Sequence, residues 1–268
     1  MSPKKFQGIL WKYHKTHRRN LPWRKTKNPY HILVSEIMLQ QTQVERVIPK
    51  YEEFIKKFPN IETLAKAPLK EVLGIWKGLG YNRRALNLKR SAEIITSNFA
   101  GKIPKSLEEL KTLPGIGSYT AGAVLTFAYN QPEVFIETNI RTVYTYFFFS
   151  TKKSVDDKEI LGIVKKTIDL KKPREWYYAL MDYGSMLKKK GIRINSQSLH
   201  YSKQSAFKGS NREVRSKILQ YILKNDSVLP ETLLNALKIK SELITKNLIA
   251  LEKEKFIKIY KGLIKLAD

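Results

Sequence analysis

Leu113-Pro114-Gly115-Ile116-Gly117-Ser118-Tyr119-Thr120 is the stretch on which the fold of this chain turns. Before it, Ser106 to Leu113 places Leu107, Leu110 and Leu113 at helical spacing, and Pro114-Gly115 stops that helix. A second helix begins near Ser118 and runs through Ala128. Two glycines around Ile116 let the backbone approach a ligand closely, and the unpaired amides of a helix N-terminus favour an anion. An ordinary helix-helix turn also opens with Pro-Gly, so the hairpin by itself leaves a phosphate grip and a plain turn both open. Seventeen residues after Thr120 comes Glu137-Thr138-Asn139-Ile140-Arg141, a carboxylate directly after the apolar Val134-Phe135-Ile136.

Charge tips the balance towards the phosphate grip. Fifty Lys and Arg against 24 Asp and Glu give a net charge of +26, the signature of a partner rich in phosphate. With 42% hydrophobic and 11% aromatic residues, 268 residues can also bury a substantial core, which argues against a disordered basic tail. No stretch approaches the ~20 apolar residues of a membrane span, and Met1 to Lys5 lacks the apolar centre of a signal peptide. The chain has no cysteine, which excludes disulfides, thiolate metal sites and a cysteine-ligated iron-sulfur cluster. A cytoplasmic, nucleoid-associated monomer with no membrane contact is the expectation.

Around the hairpin the pattern is helical. Helices are predicted over Phe6–Thr16, Tyr30–Gln43, Val47–Lys57, Ile61–Lys66, Leu69–Leu73, Arg83–Asn98, Ile140–Phe149, Lys158–Ile168 and Trp176–Lys188, with Leu21-Pro22-Trp23-Arg24 as a rigid corner and Asn28-Pro29 as a cap and first-turn proline. No strand-period run before about Tyr201 is long enough for a sheet. This predicts an all-α fold of helical lobes around a cleft. A basic segment follows, carrying His200, Tyr201, Lys203 and Lys208, which suits a solvated linker as well as a strand laid along DNA. Then Arg212–Leu223, Pro230–Leu237 and Ser241–Lys253 read as three short helices, and Lys255–Leu266 alternates around Lys261-Gly262 as a hairpin does. Three helices and a hairpin make a winged-helix module, able to contact duplex DNA or protein. The division expected is 1–190, a linker 191–211, and 212–268.

Glu36 is the second chemical candidate. It lies within one helical turn of Ile32 and Leu33 and beside Ile37 and Leu39, so it is expected to face the interior. A half-buried carboxyl keeps its proton near neutral pH. A salt-bridged structural Glu fits the same spacing. Paired with Glu137, however, it offers a division of labour in which one carboxyl protonates a leaving group and the other stabilises the cation that develops, as cleavage of an N-glycosidic bond requires.

Leu21-Pro22-Trp23-Arg24, Ser35-Glu36-Ile37-Met38-Leu39-Gln40-Gln41-Thr42, Gly78-Leu79-Gly80-Tyr81, Leu113-Pro114-Gly115-Ile116-Gly117 and Met181-Asp182-Tyr183-Gly184 occur in this order. Over about residues 6–187 they resemble the helix-hairpin-helix DNA glycosylase superfamily, most closely its MutY-type adenine glycosylases. The resemblance implies a two-lobed fold and a base-excision enzyme that flips a base out of duplex DNA. It implies that Glu36 protonates the departing base, and that Glu137, supported by Asn139, stabilises the oxocarbenium-like sugar. Tyr119 occupies the position of the Schiff-base Lys of bifunctional relatives, which implies little or no strand cleavage. Trp23, Arg24 and Tyr178 would line the base pocket. Gln40, Gln41 and Thr42 would probe the gap left by flipping, with Tyr81 as a wedge beside Leu79, Arg83 and Arg84. Gly115, Gly117, Thr120 and Arg141 would meet phosphates, and Leu113 and Ile116 would offer backbone oxygens to a monovalent cation.

Four departures from the family pattern bear on substrate. Glu137 stands in place of Asp, and the cluster cysteines are missing, with Lys188, Lys189, Lys190 and Arg193 able to supply charge to DNA instead. Tyr178 replaces a residue often Glu or Gln, and a winged helix stands where those enzymes carry the domain that reads 8-oxoguanine. The leading expectation is a monofunctional glycosylase, without cofactor, removing adenine opposite guanine or 8-oxoguanine in mismatched or damaged duplex DNA. The alternatives are a same-fold glycosylase for thymine or uracil opposite guanine or for an alkylated purine, and a non-catalytic lesion-binding protein.

Overall fold

The computed structural model describes residues 1–199 and 206–267, so His200, Tyr201 and Lys203 lie outside the described residues. In chain order the helices are α1 (Pro3–His17), α2 (Pro29–Leu39), α3 (Val44–Lys57), α4 (Ile61–Lys66), α5 (Leu69–Trp76), α6 (Arg83–Asn98), α7 (Leu107–Lys111), α8 (Ser118–Tyr129), α9 (Thr138–Phe148), α10 (Asp157–Thr167), α11 (Pro173–Lys189), α12 (Asn211–Asn225), α13 (Pro230–Leu237) and α14 (Ser241–Lys253). Strands β1 (Ser227–Val228), β2 (Ile257–Tyr260) and β3 (Leu263–Leu266) complete the chain. Contacts gather these elements into two compact units, Met1–Ile37 with Ile103–Lys203, and Met38–Lys102 with Gln204–Asp268. The winged-helix segment therefore belongs to the same unit as residues 38–102, a grouping that no local pattern announces.

In the first unit, Ser2 caps α1 by accepting from the Lys5 amide, and Pro3 occupies the first turn where its missing N–H costs nothing. The helix buries Phe6, Leu10 and His14, and the Phe6 ring meets Tyr144 of α9 and Trp176 of α11 at 5.1 and 5.7 Å. Burying such a ring contributes on the order of 3 kcal/mol. Helix α8 is buried without a break from Thr120 to Ala128, which explains its small and apolar composition. Gly122 makes room for Phe135, whose ring atom would lie 3.0 Å from an added Cβ.

The second unit is pinned by Arg84. Its buried guanidinium donates to the carbonyls of Met38, Gln40, Leu79 and Gly80 and to Thr42 Oγ1. That bond set ends α2 at Leu39 rather than at the expected Gln43, because the Met38 and Gln40 carbonyls are spent on Arg84 and Gln41 turns to φ +54°. At the other margin α3 begins at Val44, before the expected Val47, with Pro49 inside it.

The winged helix is built as the sequence indicates, with one addition. β2 and β3 pair antiparallel around Lys261-Gly262, whose φ values of +48° and +76° suit a two-residue hairpin. β1, only two residues long, adds to β3 and gives the order β1-β3-β2. Glu254, just after α14, ties this module to α6. Its carboxylate pairs with Arg83 and with Arg215, the latter at 2.7 Å, and its carbonyl accepts from Arg90 at 2.9 Å. Burial opposes ionisation of Glu254, but the two guanidiniums outweigh it and hold the carboxyl below its ordinary range.

Candidate active site

The site is assembled within the first unit. Residues 32–38 of α2 are all buried, so Glu36, only 4% exposed, has no water-facing side on which to place its charge. Burial pushes its pKa up to about 7, and repulsion from Glu137 adds to this, while a hydrogen bond from Tyr119 and the charge of Arg24 pull the other way. Tyr119 Oη donates to Glu36 Oε2 at 2.7 Å. The hairpin produces this contact, because it starts α8 at Ser118 and sends the second side chain of the helix inward. Tyr119 is braced edge-to-face by Phe135 at 5.7 Å, and burial together with the two carboxylates holds its phenol well above the ordinary range. The hydroxyl thus remains a donor, fixes one oxygen of Glu36 and leaves Oε1 to carry the proton.

Glu137 lives differently. It is the N-cap of α9, and its Oε1 accepts from the amides of Asn139 and Ile140 at 2.7 and 2.9 Å. Oε2 accepts from Asn139 Nδ2 at 3.3 Å. The extra methylene relative to Asp is taken up by folding the side chain back onto its own helix end. Three N–H groups thus hold the Glu137 side chain in place at the N-terminus of α9. Asn139 is held in turn by Lys188, whose Nζ donates to Asn139 Oδ1 at 2.8 Å. Lys188, expected only as surface charge for DNA, therefore also belongs to the site. Local desolvation lowers its pKa while Glu137 opposes the shift. The close approach of α11 to α9 rests on Gly184, where an added Cβ would lie 2.4 Å from the Asn139 carbonyl.

The Leu21–Arg24 corner forms a short 3-10 turn with Trp23 and Arg24 buried. Arg24 forks onto Asp182, Nη1 to Oδ2 at 2.8 Å and Nη2 to Oδ1 at 2.9 Å, and Arg19 Nε adds a third bond to Oδ1 at 2.5 Å. Burial works against ionisation of Asp182, yet these guanidiniums keep it below the ordinary carboxylate range. Arg24 also lies 4.3 Å over the ring of Tyr178, which stacks on Phe127 at 4.9 Å. Of the expected base-pocket residues Arg24 and Tyr178 thus pack together, Trp23 lies buried in the same turn as Arg24, and Asp182, quoted in the sequence only as part of a motif, anchors Arg24.

The expected phosphate contacts divide. Gly115, at φ +76°, and Gly117, which caps α8, are exposed, and so are Lys189 and Lys190 at the end of α11. Thr120 is buried at 2% exposure, and Arg141 is engaged by Asp157 in a two-pronged pair at 2.8 and 2.6 Å, so both serve the fold first. In the second unit Arg84 is likewise a structural staple and Leu79 is buried, because the turn they form is held from within. Arg83 is paired with Glu254. Tyr81 sits at φ +48° with its hydroxyl accepting from Arg212 at 2.5 Å, a partner the sequence did not disclose. Among the described residues no group of three His, Cys, Asp or Glu gathers as metal ligands, and no helix is long and apolar enough to cross a membrane.

Residues 34–167, which carry Glu36, the hairpin and Glu137, match the HhH-GPD superfamily of base excision DNA repair proteins. The chain belongs to that superfamily. A relative named adenine DNA glycosylase from Buchnera aphidicola subsp. Baizongia pistaciae is 42% identical over 186 residues, 68% of this chain and 52% of that protein. The chain thus spans about half the length of that curated relative. Among solved structures, a thermostable thymine-DNA glycosylase superposes with a TM-score of 0.65 at 28% identity, over 69% of this chain and 86% of that one. An endonuclease III trapped on DNA superposes at 0.60 with 19% identity, over 69% and 87%, a likeness of fold. The matched span includes the Leu113–Thr120 turn, which delivers Tyr119 to Glu36. The two relatives are named for different bases, adenine and thymine.

Proposed function

We propose that this protein is a monofunctional DNA glycosylase that flips a mispaired or damaged base from duplex DNA and hydrolyses its N-glycosidic bond. The observation that carries this reading is the contrast between Glu36, buried with its pKa pushed up to about 7, and Glu137, whose carboxyl oxygens accept from three N–H groups at the start of α9. Glu36 delivers a proton to the departing base from Oε1, while Tyr119 holds Oε2. The leaving base takes the bond pair, and the positive charge that develops on the sugar is stabilised by the Glu137 carboxylate until water adds at C1′ and gives up its proton to the Glu36 carboxylate, which restores the acid. Asn139 and Lys188 position Glu137. Tyr119 in place of an amine at the hairpin supports hydrolysis without strand cleavage. No cofactor enters this chemistry. The Leu113 carbonyl accepts from the Ile116 amide at 3.2 Å and keeps a second lone pair, so a monovalent cation on the hairpin backbone is compatible in donor type.

Adenine opposite guanine or 8-oxoguanine is the leading substrate, supported by the 42% identical relative. Thymine opposite guanine is the second reading, favoured by the thymine-DNA glycosylase superposition and by the Arg24-covered Tyr178 ring. Oligonucleotides bearing each mismatch and common lesion, treated with alkali to reveal abasic sites, separate the two. Adenine untouched in every context would exclude the first, and strand breaks without alkali would exclude monofunctional action.

A further inference from the structure

The second unit contains a cavity of about 940 Å³ beside Tyr81, with Arg46, Lys77, Arg83 and Arg212 in its lining. The first unit carries a surface of a different kind, a row of aromatic rings that crosses three helices. The row starts at His17, the last residue of α1, whose Nδ1 is steadied by Thr16 Oγ1 at 2.8 Å and whose ring stacks flat on Tyr13 at 4.4 Å and 5°. Tyr13 meets Tyr183 of α11 at 5.0 Å, Tyr183 meets Phe147 of α9 at 5.4 Å, and Phe147 meets Tyr146 at 5.0 Å. The inner side of the row is tied to the core through Phe147, which packs on Phe6 at 5.3 Å. The outer side is open, with His17 and Tyr146 exposed and Tyr13, Phe147 and Tyr183 half-buried.

Packing accounts for the inner rings but not for the hydroxyls. Among the described residues, Tyr13, Tyr146 and Tyr183 make no hydrogen bond through Oη. Burial and the neighbouring phenols of Tyr146 and Tyr13 push the Tyr183 phenol above its ordinary range, so it stays a proton donor. Basic side chains frame the row. Lys12 precedes Tyr13 on α1, and Lys190 lies two helical turns beyond Tyr183; both are exposed. Asp182, the carboxylate that faces Tyr13, is neutralised by Arg19 and Arg24. Ring faces accept bases whatever their identity, and phenol O–H groups and ammoniums accept phosphates. An unpaired strand offers both, whereas a duplex keeps its bases stacked inside. We infer that the row from His17 to Tyr146 binds a single-stranded nucleic acid, with bases on the exposed rings at its two ends and phosphates at the phenols, Lys12 and Lys190. It gives the protein a grip on unpaired strands that the chemistry at Glu36 does not use.

The test titrates the full chain with a fluorescein-labelled oligodeoxythymidylate and, in parallel, with a labelled duplex carrying a stable abasic-site analogue. His17→Ala and Tyr146→Ala each remove one end ring, and both positions are exposed, so neither substitution disturbs the core. Each is expected to weaken single-strand binding by at least about fivefold, the low end for loss of one base-aromatic stack, and to leave duplex binding within about twofold of wild type. A smaller single-strand loss in either variant, an equal loss on the duplex, or a wild type that binds no single strand overturns the inference. An oligonucleotide carrying 5-iodouracil, which couples on irradiation to an aromatic side chain stacked on it, locates the strand. Coupling to His17, Tyr13, Tyr183 or Tyr146 is expected, and coupling confined to residues outside the row also overturns the inference. Neither readout requires base release, so a chain that excises nothing defeats the excision reading and leaves this test intact.

Discussion

The Glu36 site and the Tyr81 cavity are built from opposite materials. At Glu36 two carboxyls interact, one buried and forced towards its neutral form, the other half-buried and held by the N–H groups at the start of α9. At Tyr81 the charge is overwhelmingly basic and the walls are open. Desolvation raises a carboxyl pKa only where water is excluded, so a proton-donating Glu needs a sealed helix around it. Phosphate recognition needs the reverse, cations with donors still available to a ligand. The lesson extends to individual arginines. Arg24 and Arg84, both buried, hold backbone corners in place, whereas Arg46 and Arg212 line the open cavity of the second unit.

Removing the proton from the sealed region is expected to have the largest effect. Glu36→Gln should slow base release by about 10²–10⁴-fold, the usual worth of a general acid, while lesion-duplex binding survives. The same variant tests burial directly. A carboxyl with folded pKa near 7 against an ordinary 4.5 costs nothing below pH 4.5 and destabilises the native state fully above pH 7. Glu36→Gln should therefore be more stable than wild type at pH 8, by up to about 3 kcal/mol, with the advantage vanishing towards pH 4.5. Urea unfolding at the two pH values measures it, and equal stabilities would mean that Glu36 is not desolvated.

Next comes Gly184→Ala, whose Cβ collides with the Asn139 backbone and must shift the end of α9 that carries Glu137. A loss of about 1–3 kcal/mol in stability and about 10² in rate is expected, and an unchanged single-turnover rate would show that Glu137 tolerates displacement. The smallest effect belongs to the open region. Glu254→Gln should cost about 1 kcal/mol of stability, with salt reducing the loss. Because its folded pKa is depressed, the stability Glu254 contributes is present above the ordinary carboxylate range and disappears as pH falls through the lowered value.

Much of the helical framework was legible because its punctuation is local. Ile61–Lys66 follows a capping Asn60, Arg83–Asn98 follows a Gly-containing turn, and Pro230–Leu237 opens on proline, and all three stand where the sequence placed them. The end of α2 was not legible, since Gln40-Gln41 carries no breaker and only Arg84, more than forty residues away, enforces the turn. β1 is too short for a period of two to show. In the site, Glu36 and Glu137 were visible as chemistry, but the Tyr119 bond to Glu36 spans 83 residues and the Lys188 bond to Asn139 spans 49. Such pairings exist only after the helices have packed.

The pH dependence of single-turnover base release tests the role of Glu36 most directly, using whichever duplex the substrate panel identifies. The expected rate constant is greatest where Glu36 is protonated, falls about tenfold per pH unit above roughly 7, and loses this descending limb in Glu36→Gln. A wild-type rate that stays level or rises through pH 7–9 would contradict Glu36 as the proton donor.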